Sequence, residues 1–104
     1  MRIKFRIGIY KQGTKQYKKD FRGLSDPLFI GMRYITEFKY LEATKWLFLA
    51  EDSYEKYLLL GLINEALGQD EQSREFLEVA ERYEKKTDYE FFKEIPKKDS
   101  IMRV

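Results

Sequence analysis

The sequence predicts a mostly helical domain of two stacked helix-turn-helix units, preceded by a short β-strand or hairpin. Three observations predict this fold class. The first residues alternate between apolar and charged side chains, the middle of the chain has apolar residues at helical spacing, and the helical pattern occurs twice, thirty residues apart. At 104 residues, the chain has the length of one domain with a modest core.

The arm, residues 1–23, is predicted to begin as a half-buried strand. Its odd-numbered residues from Met1 to Ile9 are apolar, while positions 2, 4 and 6 are basic, which is the alternation of a strand. Gly13 offers a turn, and residues 17–21 are expected to return as a second strand. A two-stranded hairpin is marginal alone in water, so its apolar face is expected to lie on the helices or against a second copy.

The body, residues 24–87, contains four predicted helices. The first begins at Pro27 behind the capping residue Asp26, and its pattern loosens near Phe38 and Lys39. The second runs from Tyr40 to Glu51. The third begins after a capping Asp52 or Ser53 and ends before Gly68. Asp70 is predicted to cap the fourth, which fades after residue 82, and residues 88–104 form a tail.

The two halves of the body are an internal repeat. A shift of thirty residues aligns identical residues at six positions, namely Leu28 with Leu58, Gly31 with Gly61, Leu47 with Leu77, Ala50 with Ala80, Glu51 with Glu81, and Lys56 with Lys86. Such units bury their apolar faces by stacking on each other. The shift also aligns Phe48 with Glu78. Because one unit is apolar where the other is charged, either the arm, the tail or a second subunit is expected to cover Phe48.

The repeat resembles the tetratricopeptide repeat family. The second unit has Tyr57, Leu60-Gly61, Gly68, Ser73, Leu77 and Ala80 at the spacings of the family motif, and the first has Ile30-Gly31, Tyr34, Ala43, Leu47 and Ala50. The period departs from the family's ~34 residues. Asn64 replaces a usual aromatic residue, and each unit lacks its final proline. A plain four-helix bundle is the alternative fold.

The resemblance implies a non-catalytic adaptor or assembly module that binds another protein, or a second copy of itself. In the family, the first helix of each repeat lines a groove, which suits an apolar or amphipathic segment here. The matching positions are Leu28, Met32, Ile35, Leu58, Leu62 and Glu65. With only two units, the same residues are alternatively core, covered by the arm or by the tail.

Charge suggests a second function, nucleic-acid binding. Residues 1–23 carry eight basic residues and one acidic residue, whereas residues 24–95 carry nine basic and sixteen acidic ones. Basic residues interleaved with Tyr10, Tyr17 and Phe21 are suited to phosphates and bases. The candidate contacts are Arg2, Lys4, Arg6, Lys18, Lys19 and Arg22. Alternatively, the basic face is solvated and protects an edge strand from aggregation.

The composition also excludes several classes of chemistry. The chain has no cysteine and no histidine, which removes disulfides, Cys/His zinc sites and imidazole bases. The carboxylates lie among basic residues on predicted outer faces. We therefore expect no catalytic residues, no metal site and no cofactor. No apolar stretch approaches the ~20 residues of a membrane span, and no signal peptide is apparent. The expected location is cytoplasmic, and the abundance of Lys, Arg and Glu resembles thermophile proteins.

Overall fold

The computed structural model describes residues 3–95, in which four helices form two hairpins against a small antiparallel sheet. The mostly helical class with a short N-terminal hairpin is confirmed. The helices are α1 (Pro27–Thr36), α2 (Tyr40–Leu49), α3 (Tyr54–Ala66) and α4 (Asp70–Ala80). The strands are β1 (Arg6–Lys11), β2 (Thr14–Lys15) and β3 (Tyr89–Glu94), and a 3₁₀ helix spans Lys18–Phe21.

The sheet joins the arm to residues that the sequence assigned to the tail. Its strand order is β2-β1-β3, with Ile9 opposite Phe91 and Tyr10 opposite Lys15. The third strand was not predicted. It stabilises the hairpin, because a sheet needs three strands or packing on a helix to be stable in water. The tail beyond Ile95 and the first two residues, including Met1 and Arg2, lie outside the described residues.

The prediction of a second strand at residues 17–21 is wrong. The Asp20 carboxylate accepts a hydrogen bond of 2.8 Å from the Tyr17 backbone N–H, and this bond closes the 3₁₀ turn. The turn directs Phe21 into the core, where its ring stacks on Phe29 and Tyr89 at centroid distances of 6.4 and 6.1 Å. Burying this ring requires the chain to leave the sheet, so β2 is only two residues long.

The helix starts follow local capping chemistry. Asp26 and Ser53 are confirmed as caps, since their side chains accept hydrogen bonds from the backbone N–H groups of Leu28 and Lys56 at 2.9 and 3.1 Å. The capping role predicted for Asp70 is wrong. Gln69 occupies the cap position without a side-chain hydrogen bond, and Asp70 is the first helical residue. An aspartate there still interacts favourably with the helix dipole.

In each hairpin, the two helices pack through a glycine that faces a leucine. The same contact recurs thirty residues later in the second hairpin. A Cβ atom added to Gly31 would lie 2.9 Å from Leu47 Cδ2, and one added to Gly61 would lie 2.6 Å from Leu77 Cδ2. Real Cβ atoms are not found this close to a neighbour. Glycine at both positions therefore lets the paired helices approach this closely without displacing the leucine side chains.

The core lies where the apolar side of β1 meets the helices. Phe5, Ile7 and Ile9 are buried there, as the alternation predicts. The Tyr40 hydroxyl accepts a buried hydrogen bond of 2.8 Å from the Ile7 N–H, which joins β1 to α2. Burial of this hydroxyl raises the pKa of Tyr40. Lys4 N–H donates to the Ala66 carbonyl at 2.8 Å, so the strand is attached to both hairpins.

Candidate functional sites

The six groove positions implied by the family resemblance lie under the sheet or beside it. Met32 and Ile35 are fully buried, Leu62 is 7% exposed, and Leu28 and Leu58 are partly buried against the same core as β1. Glu65 is the polar member, and its carboxylate accepts a hydrogen bond of 2.7 Å from Lys93 Nζ in β3. A partner would have to displace the sheet to reach Met32 or Ile35.

The basic residues proposed for nucleic-acid contact are dispersed over the surface. Lys4 lies 3.7 Å from Asp70 at the start of α4. Arg6 and Lys18 lie beside the α1–α2 turn, whereas Lys19 and Arg22 are exposed at the 3₁₀ helix. Arg2 lies outside the described residues. Of the aromatic residues that accompany them, Phe21 is buried and cannot stack on a base.

The outer face of α2, defined by Leu41, Phe48 and Leu49, is the most exposed apolar surface of the described helices. These residues keep 59%, 55% and 69% of their surface exposed. Leu41 and Phe48 are two helical turns apart and Leu49 adjoins Phe48, so the three lie along one side of the helix. Neither the arm nor β3 covers Phe48, which contacts Phe76 of α4 at a ring distance of 6.1 Å.

An aromatic ladder continues from this face across the second hairpin. It consists of the rings of Phe48, Phe76, Tyr57 and Tyr83, with successive centroid distances of 6.1, 6.4 and 5.5 Å. The last two pairs are stacked. Large rings held by one another lose little conformational freedom when a partner binds, and such residues dominate the energy of protein interfaces.

Polar contacts fix the tyrosine end of the ladder. The Asp52 carboxylate accepts hydrogen bonds from the Tyr57 hydroxyl at 2.8 Å and from Lys56 Nζ at 3.1 Å. The Tyr57 hydrogen bond, followed by the Lys56 bond, lowers the pKa of Asp52, and the same carboxylate raises the pKa of Tyr57 to about 12. Lys56 is 7% exposed and also donates to the Ala50 carbonyl at 2.9 Å, capping the C-terminal end of α2.

The solvent side of α4, which faces away from Phe76, is acidic. Exposed acidic residues outnumber exposed basic residues on this helix and just after it. The acids are Glu71, Glu75, Glu78 and Glu81, and the basic residues are Arg74 and Arg82. The predicted exposure of these acids is confirmed. A partner with basic groups would be attracted to this charge at longer range.

A second candidate site is a cleft of about 600 Å³ between the sheet and the α1–α2 turn. Its polar and aromatic lining is formed by Arg6, Tyr10, Lys15, Tyr17, Phe38 and Glu94. Within it, the Glu94 carboxylate accepts hydrogen bonds from the Tyr10 hydroxyl at 2.6 Å and from Lys15 Nζ at 2.8 Å. The cleft therefore contains one carboxylate that is fixed on both oxygens.

The hydrogen bonds of this group set its protonation. Partial burial opposes ionisation of Glu94, but the bonds from Lys15 and Tyr10 outweigh burial and lower the pKa of the carboxyl. The same bonds raise the pKa of both Lys15 and Tyr10. Glu94 is thus a carboxylate near neutral pH, which suits hydrogen-bond acceptance rather than proton donation.

Phe38 forms a wall of this cleft in an unusual backbone conformation. It has φ of 61°, and its counterpart thirty residues later is Gly68 with φ of 83°. Both follow a helix whose last carbonyls are closed in the same way, with Lys39 N–H donating to Tyr34 O at 3.0 Å and Gln69 N–H to Asn64 O at 2.8 Å. Glycine is the usual residue at this position, and a bulky residue there is strained.

The side chain of Phe38 is held between two openings. It is 43% exposed, and the Arg6 guanidinium carbon lies 4.4 Å from its ring centroid. The ring lines the cleft on one side and a second cleft, beside Tyr40 and Leu41, on the other. Sequence reasoning did not select Phe38. The signal was available, because the thirty-residue shift places a phenylalanine where the second unit has its turn glycine.

The described residues offer no group of three metal-ligating side chains, and none of their helices is long and apolar enough to cross a bilayer. Comparison with known protein families, with curated proteins and with solved structures finds no match.

Proposed function

We propose that the protein is a non-catalytic protein–protein interaction module whose contact surface is the outer face of α2 together with the aromatic ladder. The observation that carries the proposal is the exposure of Leu41, Phe48 and Leu49 along one side of a formed helix. Single exposed apolar residues are ordinary on protein surfaces, but three on one side of a helix beside ordered aromatic rings are characteristic of an interaction site.

The expected partner is an amphipathic helix with an apolar stripe and basic flanking residues. Leu41 and Phe48 are seven residues apart, the spacing at which a helix presents one side to another helix. The exposed glutamates of α4 lie on the solvent side of that helix, away from Phe76, and favour a partner with basic residues by attraction at longer range. Because apolar contact supplies most of the affinity, we expect binding to depend only weakly on salt.

A tetratricopeptide-like stack is part of the proposal. The matched glycine–leucine contacts of the two hairpins and the packing of α2 against α3 support it. In that family the partner occupies the groove of the first helices. Since the sheet lies over Met32 and Ile35, the proposed surface is instead on α2 and α4.

Selection from a library of amphipathic helical peptides tests the proposal. The wild-type chain should enrich peptides with apolar residues at helical spacing and basic neighbours. The variant Phe48→Glu with Leu41→Glu should not. The repeat counterparts of Phe48 and Leu41 on α4 are already glutamates, Glu78 and Glu71. The double variant should therefore keep its fold, which circular dichroism would verify.

Leu24→Glu serves as the matched control, because Leu24 is an exposed leucine outside the helices. It should leave peptide enrichment unchanged. Equal enrichment by the wild type and the double variant would contradict the proposal. Light scattering of the wild type should give a monomer at low and high salt. A salt-resistant dimer that the double variant dissociates would show that a second copy, rather than a separate partner, occupies this face.

A further inference from the structure

We propose that the cleft beside the α1–α2 turn binds a nucleotide unit, with an aromatic base stacked at the Phe38 wall and its phosphate held by the surrounding lysines. This site is separate from the outer face of α2 and does not rest on the proposed protein-binding function. It combines three features: a strained aromatic residue, a second exposed ring and an excess of basic groups.

The strain at Phe38 is the first argument. The second hairpin makes the same turn with Gly68, so the fold does not require a phenylalanine at this point. A strained residue that persists where an unstrained one would serve is a marker of function. What phenylalanine adds is a ring at the mouth of the cleft, under the Arg6 guanidinium.

The stacking surface is the second argument. The Arg6 guanidinium carbon lies 4.4 Å from the centroid of the Phe38 ring, so a cation and an aromatic ring are in contact at this wall of the cleft. Bases stack on aromatic rings and on guanidinium planes, and this contact tolerates any base. Tyr17 lines the same cleft and is more than half exposed, so a second ring is available.

Charge is the third argument. Lys18 and Lys39 both reach Glu37, with Nζ–Oε1 distances of 3.7 Å, and their side chains are mostly exposed. Such exposed ion pairs are weak, so either lysine can turn to a phosphate. Together with Arg6 and Lys15, the basic groups around the turn outnumber the two carboxylates, Glu37 and Glu94. Glu94 has fixed oxygens that can accept a hydrogen bond from a base amino group.

The proposal narrows the basic surface that the sequence suggested. Of the six candidate contacts, Arg6 lines the cleft and Lys18 lies beside the turn that borders it, 3.7 Å from Glu37. Lys15 and Phe38, which line the cleft, and Lys39, which follows Phe38 in the turn, replace the other candidates.

Fluorescence anisotropy of the full chain with labelled oligo(U) and oligo(dT) tests the site. Binding should weaken with salt with a slope of about −0.7 in log K against log salt concentration, as for one phosphate contact to a single strand. Phe38→Gly should weaken binding about ten-fold through loss of stacking. It should remain folded, because Gly68 makes the same turn. Phe48→Ala, on the outer face of α2, is the matched control and should bind as the wild type does.

Two further variants keep the test decisive. If Phe38→Gly does not fold, Phe38→Leu keeps the bulk of the side chain without its stacking surface and should lose most of the same affinity. Arg6→Glu should both weaken binding and flatten the salt dependence. The proposal is overturned if neither oligonucleotide binds at low salt, or if binding is unchanged in Phe38→Gly or Phe38→Leu.

Competition by AMP identifies the source of the nucleotide. Full displacement of the labelled strand by AMP at comparable concentration would identify a free nucleotide as a ligand of the site, whereas displacement only by unlabelled oligonucleotide would identify a single strand. Either result supports recognition of a base with its phosphate. Equal binding of a blunt duplex, insensitive to Phe38→Gly, would overturn the proposal, because the arm would then act by charge alone.

Discussion

The first and second hairpins have nearly the same backbone and very different surfaces. Each has a glycine against a leucine, a left-handed residue after its first helix and the same closing hydrogen bonds. However, the first has Phe38 where the second has Gly68, and Phe48 where the second has Glu78. Because one unit shows what the fold requires, the residues that differ in the other need a reason beyond folding. Each proposed site includes one of these two residues of the first hairpin, Phe48 at the outer face of α2 and Phe38 at the cleft.

The largest loss of stability should come from disrupting the glycine–leucine contact that both hairpins share. Gly61→Leu should lower the free energy of unfolding by about 3 kcal/mol, because its side chain would overlap Leu77 and force α3 from α4. Gly31→Leu should have a similar effect through Leu47. Urea denaturation measures both. Gln72→Leu, at an exposed position of α4, is the control, and equal stability of Gly61→Leu and Gln72→Leu would show that the helices are free to separate.

The next comparison is between Lys56 and its repeat counterpart Lys86. Lys56 is buried and caps α2 through the Ala50 carbonyl, whereas the Lys86 side chain is 74% exposed. Lys56→Met should cost about 2 kcal/mol, since it removes charged hydrogen bonds and leaves a buried carbonyl unpaired. Lys86→Met should change stability by less than about 0.5 kcal/mol. Thermal denaturation measures the stability of both variants. Equal losses of stability in the two would contradict the prediction.

Exchanging the left-handed turn residues Phe38 and Gly68 should change stability less than the substitutions above. The two exchanges should also differ in size. Gly68→Phe places a side chain on a left-handed residue and should cost about 1–2 kcal/mol. Phe38→Gly relieves the same strain but increases the conformational entropy of the unfolded chain. The two effects oppose each other, so the stability of this variant should stay within about 1 kcal/mol of the wild type. If chemical denaturation shows no cost for Gly68→Phe, the left-handed turn is not strained and one argument for the cleft is lost.

The smallest effect is a pH dependence at the end of the aromatic ladder. The folded-state pKa of Tyr57, about 12, is raised above its usual value of 10.0 by the hydrogen bond to Asp52. Its stabilising contribution is therefore complete below pH 10 and is lost as the pH rises toward 12. Asp52→Asn should move the tyrosine titration back toward 10, which absorbance of the phenolate would detect. An unchanged titration would mean that Asp52 does not control Tyr57.

Sequence reasoning reached those parts of the fold that depend on local contacts. Asp26 and Ser53 cap helices through residues two or three positions away, and Gly31 and Gly61 stand out because the chain repeats itself. The strand β3 was missed because its partner is distant along the chain. The second strand at residues 17–21 was predicted wrongly because the chain turns inward there to bury Phe21 instead of continuing the hairpin that begins at Gly13.

The candidate sites were less predictable for a physical reason. The family resemblance indicates which helix faces are apolar, but not that the sheet lies over Met32 and Ile35. The expectation that Phe48 needs a cover came from the repeat itself, and the described arm and strand β3 leave it exposed. The cleft brings together residues from both ends of the described chain, such as Tyr10 and Glu94, whose proximity depends on tertiary structure.

The pairing of β1 with β3 also determines the order in which the protein can assemble. Tyr10 and Glu94 are 84 positions apart, so a chain that leaves the ribosome from its N-terminus exposes β1 long before its partner strand exists. The helical hairpins need only local contacts and can form in the meantime. During that interval β1 lacks β3, and Phe5, Ile7 and Ile9 keep apolar surface that the complete fold buries. The basic residues between and beside them, Lys4 and Arg6, act as gatekeepers against aggregation until synthesis reaches the end of β3.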